Sequence, residues 1–112
     1  MKDDRLYLTH IVESIERITE YTQGGEQAFL TTRMIQDAVI RNFEIIGEAS
    51  GRISPETMAQ ADVPWAQMKS FRNFLIHQYT GVDAKTVWKV IHSDLPALAS
   101  RIAALLAHTE AQ

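Results

Sequence analysis

The chain has 112 residues, with 11 lysines and arginines, 14 aspartates and glutamates, and no cysteine. This length predicts one domain spanning residues 1–112, with a core that needs no covalent crosslink. The lack of cysteine excludes disulfides and thiolate metal sites. The net charge of −3 argues against a generic nucleic-acid binder with a basic surface. Any polyanion must therefore meet a local cationic site.

The amino-terminal segment and the hydropathy pattern bear on localisation. "MKDDRLYLTH" at 1–10 carries charges where a signal peptide has an apolar run. No window approaches the ~18 uninterrupted apolar residues of a membrane span. The sequence therefore predicts a cytoplasmic protein with no membrane partner.

The first half of the chain has helical periodicity. Apolar residues spaced by three and four predict an amphipathic helix over 4–22. "QGGE" at 23–26 should break that helix. A second long helix is predicted over about 28–50, with one apolar stripe.

Capping residues divide the next part of the chain. Ser54 followed by Pro55 is typical of a helix start and predicts a short helix of one or two turns. Asp62 is the candidate N-cap of a further helix, which should end at His77 or Tyr79.

The remaining signals define the carboxy-terminal part. Gly81 suits a C-terminal cap, and Asp83 suits the N-cap of a segment over 84–109. Pro96 should kink or split that segment near residues 93–94, because proline removes a backbone donor. The predicted fold is all-α: an antiparallel four-helix-bundle-like domain with a short extra helix and a kinked or split C-terminal helix.

The segment "KSFRNFLIHQYTG" at 69–81 carries an unusual group of polar side chains. They are Arg72, Asn73, His77 and Tyr79. Because each helical residue advances about 100°, Lys69, Asn73 and His77 should share one face. Arg72 should lie roughly 140° from His77. Taken singly, each has an ordinary explanation, such as a capping histidine or a salt-bridged arginine.

Three arrangements would bring Arg72 and His77 to one point. The long guanidinium could reach round the helix, the helix could deform near Gln78, or the pair could converge with its copy from a second subunit. The sequence alone leaves these alternatives open.

The combination resembles the R-x4-H-x-Y motif of the HEPN superfamily, in particular the HepT-like toxins of MNT–HEPN toxin–antitoxin pairs. The resemblance extends to three segments in the family's order: "AVIRNFEIIGEAS" at 38–50, "VPWAQMKSFRNFLIHQYTGVD" at 63–83 and "VWKVIHSDLPAL" at 87–98. Gln78 departs from the pattern, since relatives often have glycine there.

The resemblance implies a homodimeric ribonuclease that uses no metal and no cofactor, with the motif lining a cleft between subunits. His77 would move protons, for which imidazole is suited near neutral pH. Arg72 would grip phosphate oxygens and stabilise charge. Asn73 and Lys69 would support them. Twofold symmetry would double Arg72 and Lys69, with Arg41 as a further candidate, around one cationic groove.

The resemblance also implies regulation through Tyr79. In relatives, a nucleotidyltransferase antitoxin adds AMP to the motif tyrosine, which would repel and occlude RNA. The substrate would be an RNA such as tRNA or mRNA. The alternative is a non-catalytic helical module that binds RNA or a nucleotidyltransferase without cleaving anything.

Two residues of the predicted second helix are further candidates. Glu48 either orients Arg72 or is an ordinary surface carboxylate. Gly47 inside a helix costs about 1 kcal/mol relative to alanine, which close helix approach or a dimer contact would explain. A di-metal bundle needs Glu-x-x-His on two helices, and no histidine here has that spacing.

Overall fold

The computed structural model describes residues 2–78 and 81–111, and all regular structure in these residues is helical. The helices, in chain order, are α1 (Lys2–Tyr21), α2 (Glu26–Thr31), α3 (Arg33–Ser50), α4 (Pro55–Met58), α5 (Trp65–His77), α6 (Ala84–Ser93) and α7 (Leu95–Ala111). The prediction of an all-α fold is confirmed.

Helix α1 lies at the centre of the packing. Its buried stripe, which includes Leu8, Ile11 and Ile18, packs against α3 on one side and α7 on the other. Helix α3 also contacts α5, and α6 packs against α2 and α7. Helix α5, which carries Arg72 and His77, packs mainly on α3 and has no substantial contact with α1, so it lies at the margin of the core.

The predicted helix over 28–50 is wrong as a continuous element. Thr32 is extended (φ −120°, ψ 102°) and separates α2 from α3. The break lets Phe29 of α2 reach Trp88 of α6, with ring centroids 5.6 Å apart. The side-chain amide of Gln36 donates to the carbonyl of Phe29 at 2.9 Å and holds the corner. Tertiary packing of one aromatic residue thus overrides the helical periodicity.

Both predicted caps of α5 are wrong. Pro64, not Asp62, precedes the first residue of the helix, and no side chain caps this end. Buried Val63 and the proline after it favour an extended entry, which moves the helix start past Asp62. At the other end Gln78 takes the C-cap position, and the Gly81 amide closes a turn onto its carbonyl at 2.9 Å.

The other sequence signals are confirmed. The hydroxyl of Ser54 accepts from the Thr57 amide at 3.3 Å and caps α4. The carboxylate of Asp83 accepts from the Lys85 amide at 3.1 Å and caps α6. Pro96 follows a break at Asp94, where α6 and α7 bend by 51°.

The length and composition of each helix indicate whether it could cross a membrane. Among the described residues, no single helix is long and apolar enough to cross a membrane. Helices α6 and α7 meet that length and composition only as a pair, across their bend.

A buried carboxylate ties the start of α1 to α4. Asp4 is buried and accepts hydrogen bonds from the Ser54 amide at 2.9 Å and from the hydroxyls of Ser54 and Thr57, both at 2.6 Å. Burial raises the pKa of Asp4, but the hydrogen bonds from Ser54 and Thr57 outweigh it, so the net pKa lies below the ordinary value.

Replacing Asp4 by asparagine should lower the free energy of unfolding by about 1–3 kcal/mol at pH 7, because the amide leaves a buried hydroxyl without an acceptor. The wild-type carboxylate has a depressed pKa in the folded state. Its contribution is therefore present above the unfolded pKa of about 3.9 and is lost as the pH falls through the folded value.

Urea unfolding followed by circular dichroism at pH 7 and pH 3 measures both effects. Asp3→Asn, at an exposed neighbouring position, is the matched control and should leave stability unchanged. Equal losses in the two variants would contradict a specific tie through Asp4.

Candidate active site

The Arg72 side chain lies across the backbone of α3 at Gly47. A β-carbon placed on Gly47 would overlap Arg72 Cβ and would lie 2.9 Å from Cγ and 3.1 Å from Cδ. The aliphatic stem of the arginine therefore occupies the space that any other residue at position 47 would fill. Close approach of α3 and α5, one of the two explanations predicted for this glycine, is thus present within one chain.

Among the described residues, the guanidinium of Arg72 has a hydrogen-bond partner but no ion-pair partner. One terminal nitrogen donates to Asn73 Oδ1 at 3.2 Å. Nε is buried and has no hydrogen-bond partner. In the part of the chain that the structure describes, no carboxylate forms an ion pair with Arg72. A fixed cation without a counter-ion attracts an anion, and a guanidinium matches the oxygen pairs of phosphate.

His77 is the last residue of α5, and its side chain is exposed. Its imidazole ring forms no hydrogen bond with any other described residue. The helix stays regular as far as His77, so Arg72 keeps its separation of roughly 140° around the axis. The guanidinium turns towards Asn73, which shares the His77 face, but within the described residues Arg72 and His77 form no hydrogen bond with each other.

The remaining predicted site residues are placed as follows. Lys69 and Asn73 are exposed on the His77 face of α5. Glu48 is exposed one residue after Gly47, and among the described residues it makes no ion pair with Arg72, so its supporting role stays a prediction. Tyr79 lies outside the described residues. Arg41 pairs with Glu44 at 3.6 Å, which reduces what it adds to a cationic groove.

The sequence reasoning missed two exposed apolar side chains on α5. Phe74 and Ile76 are 40% and 39% exposed, although they lie close to the polar cluster. The ring of Phe74 stacks on Phe71 with centroids 6.3 Å apart. The signal was available, since the apolar residues of this segment point in several directions around the helix rather than forming one stripe.

Potential metal-binding side chains do not come together in the described part of the chain. Over residues 2–78 and 81–111, no group of three or more histidine, aspartate or glutamate side chains is arranged to hold a metal ion.

Comparison with known proteins identifies the family of the chain. The family described as Ribonuclease HepT-like matches residues 11–105. The chain therefore belongs to the HepT-like ribonuclease family, a family of RNA-cleaving enzymes, and the resemblance drawn from Arg72 and His77 is confirmed at the level of the family. No solved structure matches the chain.

Three relatives illustrate the match. The "Gamma-glutamylcyclotransferase and putative RNase" of Methanocaldococcus jannaschii is 44% identical over 103 residues, which cover 90% of this chain but 46% of the relative. The chain thus spans less than half of that longer protein. A "Putative RNase" of the same organism is 37% identical, covering 90% and 94% of the two chains. "Probable ribonuclease HepT" of Thermococcus cleftensis is 43% identical, covering 82% and 86%.

Substituting Gly47 by alanine tests the contact under Arg72. Alanine in a helix should stabilise by about 1 kcal/mol, but the overlap with Arg72 Cβ should force α3 and α5 apart. We expect a net loss of about 1–3 kcal/mol, the usual cost of overpacking, measured by urea unfolding.

Gly51→Ala is the matched control, because a β-carbon there would meet its nearest atom, the Glu48 carbonyl oxygen, at 3.6 Å. This variant should be neutral or more stable. A Gly47→Ala protein as stable as Gly51→Ala would contradict the close packing of the arginine stem.

Proposed function

We propose that this protein is the toxin of a toxin–antitoxin pair and that it cleaves RNA without a metal ion. The observation that carries the proposal is the unneutralised guanidinium of Arg72 on the same helix as the exposed imidazole of His77. Membership of the HepT-like family supports RNA as the substrate.

The chemistry needs proton transfer and charge stabilisation. In the proposed reaction, the ribose 2′-oxygen attacks the phosphorus while an imidazole removes its proton. The bond to the 5′-oxygen then breaks, and a protonated imidazole supplies the proton to this leaving group. Arg72 stabilises the negative charge that develops on the phosphate oxygens. Asn73 keeps the guanidinium turned towards the histidine face.

A homodimer would bring together Arg72 and His77, which lie apart around the helix of one chain. Two copies of α5 facing each other would let Arg72 of one subunit approach His77 of the other, so that each site holds one guanidinium and one imidazole. Helix α5 is packed mainly against α3. Phe74 and Ile76 are exposed on the two edges of the outer face of α5, and this supports burial of that face against a second copy. The same arrangement would double Lys69 and Arg72, so a chain of net negative charge could present a cationic cleft.

Cleavage of total RNA and tRNA by purified protein in excess EDTA tests the proposed activity. Wild type should cleave. His77→Ala should lose about 10²–10⁴-fold in rate, the typical contribution of general acid–base catalysis. Arg72→Ala should lose about 10²–10³-fold, as expected when a preorganised donor is removed.

His92→Ala, which removes an exposed histidine at the end of α6, is the control and should cleave like wild type. Circular dichroism should show all variants folded. An inactive, unmodified wild type would sink the ribonuclease proposal and favour a module that binds RNA or a nucleotidyltransferase without cutting.

Mixing inactive variants tests whether two subunits share one site. If Arg72 and His77 act across the interface, an equimolar mixture of Arg72→Ala and His77→Ala chains should recover about one quarter of wild-type activity. Half of the randomly assorted dimers are then mixed, and each mixed dimer has one intact site of two. The assay requires subunit exchange, which sedimentation and mass spectrometry of isotope-labelled chains can verify.

Phe74→Glu should abolish this recovery by preventing dimer formation, while Leu6→Glu, at a 51% exposed position on α1, should not. Exchanged dimers without recovered activity would show that each chain carries its own complete site.

Tyr79 is the proposed site of control. Transfer of AMP from ATP by a nucleotidyltransferase antitoxin would join the phenol oxygen to the α-phosphate and release pyrophosphate. The added phosphate and nucleoside would block RNA by repulsion and occlusion. Co-expression with the nucleotidyltransferase should add AMP to wild type and abolish cleavage, whereas Tyr79→Phe should stay unmodified. A modified Tyr79→Phe protein, detected by intact mass, would rule out Tyr79 as the only target.

A further inference from the structure

A cavity of about 400 Å³ lies between α3, α5 and the region where α6 meets α7. Helix α5 packs mainly on α3, and the residues at the 51° bend between α6 and α7 form part of the cavity wall. The volume falls within the range of about 300–1,000 Å³ that is usual for small-molecule sites. The space is much larger than one water molecule would need.

The walls of the cavity are apolar. Six large apolar side chains from α3, α5 and α7 line the cavity: Phe43, Ile46, Met68, Phe71, Leu95 and Leu98. Water in such a space finds few hydrogen-bonding partners, so apolar ligands are favoured over solvent. The body of a suitable ligand is therefore aromatic or aliphatic.

The polar groups of the cavity define the head of the ligand. Arg101 lines it and donates one hydrogen bond, at 3.0 Å, to the backbone carbonyl of Asp62. Asp94 lines it as well, together with Ser93 and Gln67. One cation and one anion make this set neutral, and it offers both donors and acceptors. An uncharged head group with a hydroxyl or amide fits better than an ion of either sign.

The cavity is connected to the candidate active site through Phe71. This ring forms part of the wall and packs edge-on against Phe43, with centroids 5.2 Å apart. The next residue in α5 is Arg72, whose stem rests on Gly47. A molecule that fills the cavity would fix Phe71 and, through the helix backbone, the position of Arg72.

We propose that this cavity binds a small, largely apolar molecule with an uncharged hydrogen-bonding head, and that its occupancy adjusts Arg72. This site is separate from the RNA chemistry proposed above. Its test therefore uses binding rather than cleavage as the readout.

The probe is 2-naphthol, which has a two-ring apolar body and one hydroxyl, titrated into full-length wild type by calorimetry. Binding should be saturable with one site per chain. Ala97→Trp introduces an indole at a residue that lines the cavity and should weaken binding at least tenfold. Ala104→Trp is the matched control, exposed two turns later on the same face of α7, and should change affinity less than twofold.

A second readout follows Arg72 directly. The Nε–H signal of Arg72 in ¹H–¹⁵N spectra should shift on saturation with 2-naphthol, because Phe71 lines the cavity directly before Arg72 in α5 and Nε is buried without a hydrogen bond. The indole N–H signal of Trp88, on the α2–α6 side of the molecule, should stay unchanged.

Three outcomes would overturn parts of the proposal. Absence of saturable binding to wild type, or equal weakening by both tryptophan variants, would rule out the cavity as a ligand site. Tighter binding of naphthalene-2-sulfonate than of 2-naphthol would rule out an uncharged head. Binding with no shift at Arg72 would rule out control of the arginine.

Discussion

The contact between Arg72 and Gly47 is the constraint on which the rest of this structure depends. Because position 47 has no side chain, the stem of a catalytic candidate can lie flat on a neighbouring helix. This contact fixes the distance between α3 and α5 and fixes where the guanidinium emerges. It also removes Nε from solvent. The helix propensity lost at Gly47, about 1 kcal/mol, is the cost of holding a long and flexible cation in one place.

Much of the fold was predictable because the signals were local. Ser54, Asp83 and Pro96 act through their own backbone or through residues one turn away, and each does what its position in the sequence indicates. The break at Thr32 was not predictable in this way. It depends on Phe29 meeting Trp88, a contact between residues far apart in the chain. Asp4 was missed for the same reason, since its partners Ser54 and Thr57 lie about fifty residues away.

The site was predictable in composition but not in arrangement. The R-x4-H-x-Y pattern and the segments around it were enough to indicate the family, because residue types and their order are written in the sequence. The contact that would join the two residues cannot be deduced from this sequence pattern, because it depends on surfaces outside α5. The helix is regular through His77 and departs from helical geometry only at Gln78 (φ −108°, ψ 22°), a position that cannot turn His77 towards Arg72. The arrangement in which the guanidinium reaches round the helix is partly present, because the guanidinium turns towards Asn73. Convergence across two subunits remains the arrangement that needs no distortion.

The marginal position of α5 has a further consequence for the order in which the molecule loses structure. Helix α1 is enclosed by α3 and α7, whereas α5 has one principal neighbour and an exposed outer face. A helix held on one side can detach without unfolding the others, so its opening free energy is lower than that of the whole chain. Activity would then fail before the fold does on mild heating. Amide hydrogens of α5 would exchange with solvent ahead of those in α1, and anything that covers the outer face of α5 would slow that exchange first.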